Sequence, residues 1–586
     1  MKNLKICAVA LLTLGMAACT SDEPNGSQEA NKGDMYARVR IQLPTGTRAG
    51  TTDWNGNTNS EDGYEIGQED ENRVNNVTVV LAAKESDGNF SYIDHSTTST
   101  LSSSASNTFT MQFDVNALND YAGQTVYIFT YCNVNPITAP GAFTDLIAGY
   151  ASQLPWQSGN FIMANAANVT YDNDKDPSTP PEAVPAVTLP SIETLRAQNN
   201  TPDNAFDLGT VQVTRVCSRF DYKKGGNVEG NDNAYTIKAN DGAEIGEIEM
   251  VAMAPVEIAQ EYYYIPRISA DGTNADWTYC GAETNTNFVV SPNYSLKTVA
   301  DLTDEILGKY NYRTTGEGVD LGAATYDWTT LAGWNGVDDN DENWNDNGNS
   351  GFDKSNYKIW KYVTENTIPE TKAQKAGITT GVLFKAKINS VTNTNFAKAM
   401  EGKKAVYSYK GTIYGDLAMM RQTAYTEGQY SELYKAFISV FGPNSLTPKT
   451  ATDGTGATYI VKDADGNVSF VETLTDAADN NVVDGKAVFK IYRPAADDNY
   501  YVYYIYRNRH NDNDDIAKMG TMEFATVRNN VYKLMVTTVS DFGYAATPGD
   551  DPNFPDPDNP DEDPKVYFKV SCRVLPWMVR VNNIEF

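Results

Sequence analysis

The sequence predicts an all-β protein with a few short helices, and three observations carry that prediction. Short apolar runs such as Val77-Thr78-Val79-Val80-Leu81 lie between Gly, Asn and Asp turn residues. Thr, Val and Tyr, which suit a pleated surface, are abundant, and helix formers do not dominate. Both ends of the chain alternate with a period of two. Met35, Ala37, Val39, Ile41 and Leu43 interleave with Tyr36, Arg38, Arg40 and Gln42; Val566, Phe568, Val570, Cys572 and Val574 interleave with Tyr567, Lys569, Ser571 and Arg573. One face is apolar and the other wet, as in a half-buried strand.

The elements follow in chain order. Lys2 and Lys5 precede the apolar run 6–15 and Met16-Ala17-Ala18-Cys19. This run is too short to span a bilayer and reads as a signal peptide over 1–19. Residues 20–34 are polar, acidic and aperiodic, a flexible tether. Residues 35–48 form the first strand and a loop, Pro44-Thr45-Gly46-Thr47-Arg48-Ala49-Gly50, open to a protease. A first sandwich is expected over 49–217, with strands near 75–83, 108–114, 124–132 and 209–217. A helix from Phe143 to Leu154 should stop at Pro155. The run 211–220 reads as the strand that crosses into a second sandwich, 218–546.

In that second region Asp463-Ala464-Asp465-Gly466-Asn467 signals a hairpin. A helix is expected from Thr426 to Phe441, ended by Gly442-Pro443. Strong strands are read at 488–492, 500–506 and 531–539. The run Tyr500-Tyr501-Val502-Tyr503-Tyr504-Ile505-Tyr506 could form a sugar platform, although cross-strand aromatic packing is the commoner cause of such a run. Residues 547–565 are an Asp/Pro linker; about 17 residues at roughly 3.1 Å each span on the order of 50 Å. The closing segment 566–586 is too short to fold alone and must pair with something.

Composition narrows the chemistry. At 586 residues the chain should form two or three domains. A net charge of −30 argues against nucleic acid, which needs clustered Lys and Arg, and suits a solvated extracellular surface. Only two histidines exist, His95 and His510, both in polar, loop-like surroundings. A histidine triad or multi-histidine metal site is therefore not expected, and neither is a cofactor. No carboxylate pair stands out for glycoside hydrolysis. The acidic tract 338–348 fits part of a calcium loop through Asn343, Asn345, Asn347 and Gly348. Lys354 stands where a bidentate Glu is needed, so a solvated loop is the default. Cys132, Cys217, Cys280 and Cys572 form no C-x-x-C pair and are expected as buried free thiols, Cys572 above all.

Several segments carry a resemblance. Small residues before Cys19 resemble a bacterial lipobox, and Thr20-Ser21-Asp22-Glu23 resembles the surface-export signal of Bacteroidota lipoproteins. Together with the strand ending at Arg48-Ala49-Gly50, the segment Val527-Arg528-Asn529-Asn530-Val531-Tyr532-Lys533, and the ending Val574-Leu575-Pro576-Trp577-Met578-Val579, they resemble, in that order, the major fimbrillins of Bacteroidota type V pili, in their Mfa-like (short fimbria) branch. The resemblance implies two transthyretin-like β-sandwich domains and an extended C-terminal donor strand. It implies a lipid on Cys19, cleavage between Arg48 and Ala49 by an arginine-specific, trypsin-like protease, and loss of the first strand. It also implies partners: other copies of the chain, accessory tip and anchor subunits, and the outer membrane through the lipid before cleavage. The middle of the chain, about 280–480, matches no motif.

The expectation is a shaft subunit of a cell-surface fimbria, made as an outer-membrane lipoprotein precursor and polymerised by strand exchange. The removable strand carries Met35, Ala37, Val39, Ile41 and Leu43. The donor strand carries Val566, Phe568, Val570, Cys572 and Val574; beyond Pro576, where a bulge or edge exit is expected, the apolar face shifts to Trp577, Val579 and Val581. The alternative is a tip adhesin or a glycan-binding surface lipoprotein that uses Tyr and Trp side chains. An enzyme is not expected.

Overall fold

The computed structural model describes residues 35–43, 65–547 and 568–578, apart from internal stretches of which the longer are 167–183, 293–303, 315–325, 335–356 and 368–377. The fold is mostly β, as the alternation predicts.

The strands that organise it are β1 (Met35–Gln42), β2 (Val77–Lys84), β3 (Phe90–Thr98), β4 (Thr108–Phe113), β5 (Thr125–Cys132), β6 (Met163–Asn165) and β7 (Phe206–Arg215). They lie side by side in the order β3-β2-β5-β6-β7-β1-β4, extended by the short strand Leu101–Ser103 beyond β4 and by Ala186–Thr188 beside β5. The sheet curls back on itself: Asp114 N donates to Asp94 Oδ2 at 2.8 Å, tying the end of β4 to β3. Inward side chains from β1, β2, β4, β5 and β7 make one apolar core.

After Val216 the chain continues as β8 (Cys217–Lys223), then β9 (Ala234–Lys238), β10 (Glu244–Val256), β11 (Lys358–Thr364), β12 (Gly381–Val391), β13 (Tyr501–Arg507), β14 (Asn530–Val539) and β15 (Phe568–Met578). One sheet runs β15-β14-β8-β11 and a second runs β9-β10-β12-β13. A second core lies between them, built from Tyr222, Tyr235, Met250, Phe384, Tyr504, Tyr532 and their neighbours. Cys217 and Val531 belong to the first core, so β8 and β14 begin where the two cores meet.

The helices depart from the sequence reading in two places. The first, α1 (Pro140–Ala148), gives way at Gly149 to the short strand Tyr150–Ala151 instead of continuing to Leu154. The stretch read as one helix from Thr426 is two. After α2 (Thr394–Glu401) come α3 (Leu417–Glu427) and α4 (Glu432–Phe441). Gly428, at φ +86°, ends α3, and Ser431 caps α4 by accepting from Tyr434 N at 3.0 Å. A left-handed glycine followed by a serine N-cap is both a stop and a start signal, and it outweighs the apolar spacing that runs through it. These helices form an excursion between β12 and β13, which are direct antiparallel neighbours. The excursion has its own small core around Tyr407, Met420, Phe437 and Phe489.

Candidate strand-exchange site

β1 is an interior strand. On one side it pairs antiparallel with β4 at six positions, among them Met35 with Phe113 and Val39 with Phe109. On the other it pairs parallel with β7 at five positions. Between Arg38 and Arg40 the register shifts, because β7 carries an extra residue there, and Gly209, at φ +84°, supplies the left-handed turn of that bulge. Period-two geometry sends one face of β1 inward. Met35, Ala37 and Val39 are 0 % exposed, Ile41 2 % and Leu43 6 %. The other face is wet: Arg40 reaches Asp207 at 3.4 Å and Thr210 Oγ1 at 3.1 Å. At its ends Tyr36 N donates to Asn199 O (2.7 Å) and Ile41 N to Asn107 O (3.0 Å).

Strands in a sheet stand about 4.8 Å apart, so a sheet without β1 would hold a slot about 10 Å wide between β4 and β7. Its floor would be five sockets that are now sealed from water. Neither neighbour is close to β1 in sequence, so the slot walls would remain.

The closing strand finds its pairing partner within its own chain. β15 pairs antiparallel with β14 of its own chain at nine positions, from Val539 with Phe568 to Asn530 with Pro576. On its outer side, among the described residues, only Glu65 and Ile66 pair with it, parallel to Trp577 and Met578. The physical reason is that an alternating apolar strand on a tether docks on the nearest open sheet edge, and β14 offers one. Val570 and Cys572 turn toward the second core yet are only half-buried. Phe568, Val574 and Trp577 lie on β15 by register, opposite Val539, Tyr532 and Glu65. The bulge is at Thr537 of β14, between Val536 and Thr538; Pro576 is the last residue of β15 paired with β14, so the strand leaves that ladder there, the edge exit of the two expectations. A proline without an N–H is tolerated at such an end.

The segment 527–533 is the corner that launches β14. Arg528 makes a bidentate pair with Glu365 (2.8 Å to each oxygen) and donates to the carbonyls of Tyr263 and Tyr264. Asn529 takes a left-handed φ of +55°, and its N–H donates to Cys217 O. The Tyr532 hydroxyl donates or accepts with His510 Nδ1 at 2.9 Å and accepts from Val527 N at 2.8 Å. Next to this corner, Arg219 bridges Glu71 and Asp221, Lys533 Nζ stands 3.4 Å from Asp221, and Tyr362 donates to Glu71 at 2.7 Å. Arg215 donates to Glu71 O, Asn72 Oδ1 and Asn529 Oδ1; burial pulls its guanidinium down to about 10, with Glu71 opposing. The 71–72 turn, the crossing strand and the start of β14 are thus one buried ionic knot. Arg528 and Lys533 belong to the motif 527–533, whereas Glu71, Arg215 and Arg219 carry no local signal.

Other expectations come out differently. Both histidines are buried: His95 lies on β3 at 2.8 Å from the Tyr92 hydroxyl and against the Phe143 ring, and His510 is 2 % exposed. His95 sits on a strand rather than in a loop, whereas His510 is in a loop beyond β13 but is buried against Tyr532. The tyrosine run is mostly core, since Tyr500, Tyr503, Tyr504 and Tyr506 are buried. Cys132, Cys217 and Cys280 are buried thiols outside any disulfide, and Cys572 is a half-buried thiol, also in no disulfide, 3.5 Å from Arg509 O. Burial pushes the Cys280 thiol up to about 12 and those of Cys132 and Cys217 higher still. Cys19, Arg48, Ala49, Val566, Val579, Val581 and the acidic tract 338–348 lie outside the described residues. Among the described residues no cluster of three or more His, Cys, Asp or Glu is placed to hold a metal, and no helix is long and apolar enough to cross a membrane.

Comparison with known proteins bears on the same C-terminal region. The family described as major fimbrial subunit protein type IV, fimbrillin, C-terminal matches residues 498–583, which span β13, β14 and β15. No curated protein sequence matches the chain. Among solved structures, the fimbrilin FimA of Porphyromonas gingivalis W83 is similar at 11% identity and a TM-score of 0.36, covering 94% of this chain and 99% of that one. The tip fimbrial protein Mfa3 of Porphyromonas gingivalis is similar at 9% identity and a TM-score of 0.27, covering 92% and 100%. Residues 498–583 are thus similar to the C-terminal region of the fimbrillins.

Proposed function

We propose that this chain is a fimbrial shaft subunit that polymerises by exchanging strands: β1 is a temporary occupant of its slot, and the β15 segment of another copy replaces it. The observation that carries the reading is the interior position of β1, buried on its apolar face between two strands distant in sequence.

The two places available to a closing strand compare as follows. In its own chain β15 has nine pairs with β14 and two with 65–66. The β1 slot offers six with β4 and five with β7. Among the described residues the paired positions are equal in number, so the ladder alone does not drive exchange. Burial does: Val570 and Cys572 are half-exposed where they lie, whereas every socket under β1 is at least 94 % shielded. Five apolar side chains at roughly 1.5–3 kcal/mol each would bring about 8–15 kcal/mol from full exposure before ordering costs, and exchange gains only a part of this because Val570 and Cys572 start half-buried. While β1 is attached it competes from within the same molecule and holds the slot. Cutting after Arg48 converts it into a separable peptide, and the exposed slot then binds a donor strand in the manner of strand addition.

The same reading includes export as a lipoprotein through Cys19, maturation by an arginine-specific protease, and capping and anchoring by accessory subunits, without catalysis. The test is limited trypsin-like digestion of the full precursor, with N-terminal sequencing and electron microscopy. A new N-terminus at Ala49 with SDS-resistant polymers supports it; cleavage at Arg48 without assembly overturns it.

A further inference from the structure

A cleft of about 520 Å³ opens where residues 154–156 face the end of β10 and strand β11. That size lies in the range of small-ligand sites, about 300–1,000 Å³. Its lining includes the indoles of Trp156 and Trp360 and the planar polar groups of Gln260, Asn311 and Asp327. Trp156 is half-buried, and Trp360 is held by a 3.0 Å bond from Nε1 to Thr329 Oγ1. Gln260 Nε2 donates to Asn311 Oδ1 at 2.8 Å. That bond orients both amides and leaves Gln260 Oε1 as an acceptor and Asn311 Nδ2 as a donor uncommitted among the described residues. Lys361 Nζ holds Asp327 Oδ2 at 2.6 Å, so the half-exposed carboxylate keeps its second oxygen for another donor.

We infer that this cleft is a binding site for a neutral saccharide. A pyranose has an apolar C–H face and a rim of hydroxyls. The first matches an indole; the second matches groups that each accept or donate in a fixed plane. A wholly apolar ligand would bury the two amides and the carboxylate unpaired. An anionic one would meet Asp327 with Lys361 already committed, on a chain of net charge −30. The tyrosine run that the sequence offered as a sugar platform is core, so the saccharide chemistry sits elsewhere than the composition suggested. The inference goes beyond strand exchange and does not depend on it, because neither β1 nor β15 contributes to the lining.

The test titrates the full chain with methyl glycosides of glucose, galactose, mannose and N-acetylglucosamine, with lactose and with sialyllactose, followed by saturation-transfer NMR and calorimetry. Expected is saturable binding of at least one neutral saccharide, with sialyllactose bound more weakly than lactose. Trp156→Ala and Asp327→Asn each weaken that binding at least tenfold. Trp156→Phe retains part of it. Trp156 also touches the first core, so Asp327→Asn, a change at a half-exposed side chain, keeps the test decisive if the alanine variant misfolds. Absence of binding across the neutral panel, or binding undiminished by Asp327→Asn, overturns the assignment. Polymer formation after cleavage is scored on the same preparations and reports on strand exchange alone.

Discussion

Cys572 stands opposite Leu534 in the ladder between β15 and β14, so the closing strand is paired within its own chain, with its one thiol half-buried against the second core. Under the proposed strand exchange, this strand must leave its edge before it can serve a neighbour. Its present shelter is one full strand and a two-residue clip.

That arrangement makes Cys572 a reporter. In the uncut protein a thiol reagent should label Cys572 well before Cys132, Cys217 and Cys280, which are buried and whose thiols are pushed up by desolvation. In assembled polymer its labelling should slow at least tenfold, because the strand's inward face then occupies sockets now 0–6 % exposed. Mass spectrometry of labelled peptides reads both rates. Faster labelling in polymer would contradict the exchange.

Removing the cut or the donor should each stop assembly at a different step. Arg48→Gln should leave the precursor monomeric and its first strand attached under protease. Deleting 566–586 should allow cleavage but leave soluble monomers with an open slot. Size-exclusion chromatography distinguishes the two, and robust polymers from the deletion would remove the closing strand from the account.

Arg528→Ala should cost about 3–5 kcal/mol of stability, since Glu365 would stay buried without its bidentate partner and two carbonyls would lose their donor. Arg528→Lys should recover only part of this, because an ammonium cannot present the planar fork. Denaturant unfolding measures both. A change below about 1 kcal/mol for the alanine variant would mean that the corner is not what holds β14 in place.

Stability should fall in alkali. Burial pushes the phenols of Tyr131, Tyr222, Tyr504 and Tyr506 well above their ordinary value. Above about pH 10 the unfolded chain releases these protons while the folded chain retains them, so unfolding is favoured as pH rises. Below that pH the contribution is fully present. Denaturant midpoints taken between about pH 8 and 11 should be level at first and then drop; a level profile throughout would contradict it.

What could be read from the sequence was what depends on neighbours along the chain. The alternation of Met35 to Leu43 marks a strand with one buried face, and the face is the one buried. The glycine that ends α4 is equally local, with Gly442 at φ +90°. The alternation of 566–574 also announces an apolar face, but not which surface receives it, and the nearest open edge is β14 of the same chain. Pairing of β1 with β7 joins Ala37 to Phe206, and no local pattern encodes such a distance. The knot of Glu71, Arg215 and Arg219 was hidden for a related reason: charged residues read singly look solvated, and only the fold shows that they are buried together. The break between α3 and α4 was legible in principle, in Gly428 and Ser431, and was masked by apolar spacing that continues across it.

The most direct measurement places a photo-crosslinking amino acid at Phe109, which faces Val39 across the first sheet. In the uncut precursor it should capture a peptide from 35–43 of its own chain. After cleavage and assembly it should capture a peptide from 568–578 of a second, isotopically distinct copy. Polymers in which Phe109 captures no closing-strand peptide, or captures one only from its own chain, would contradict the account.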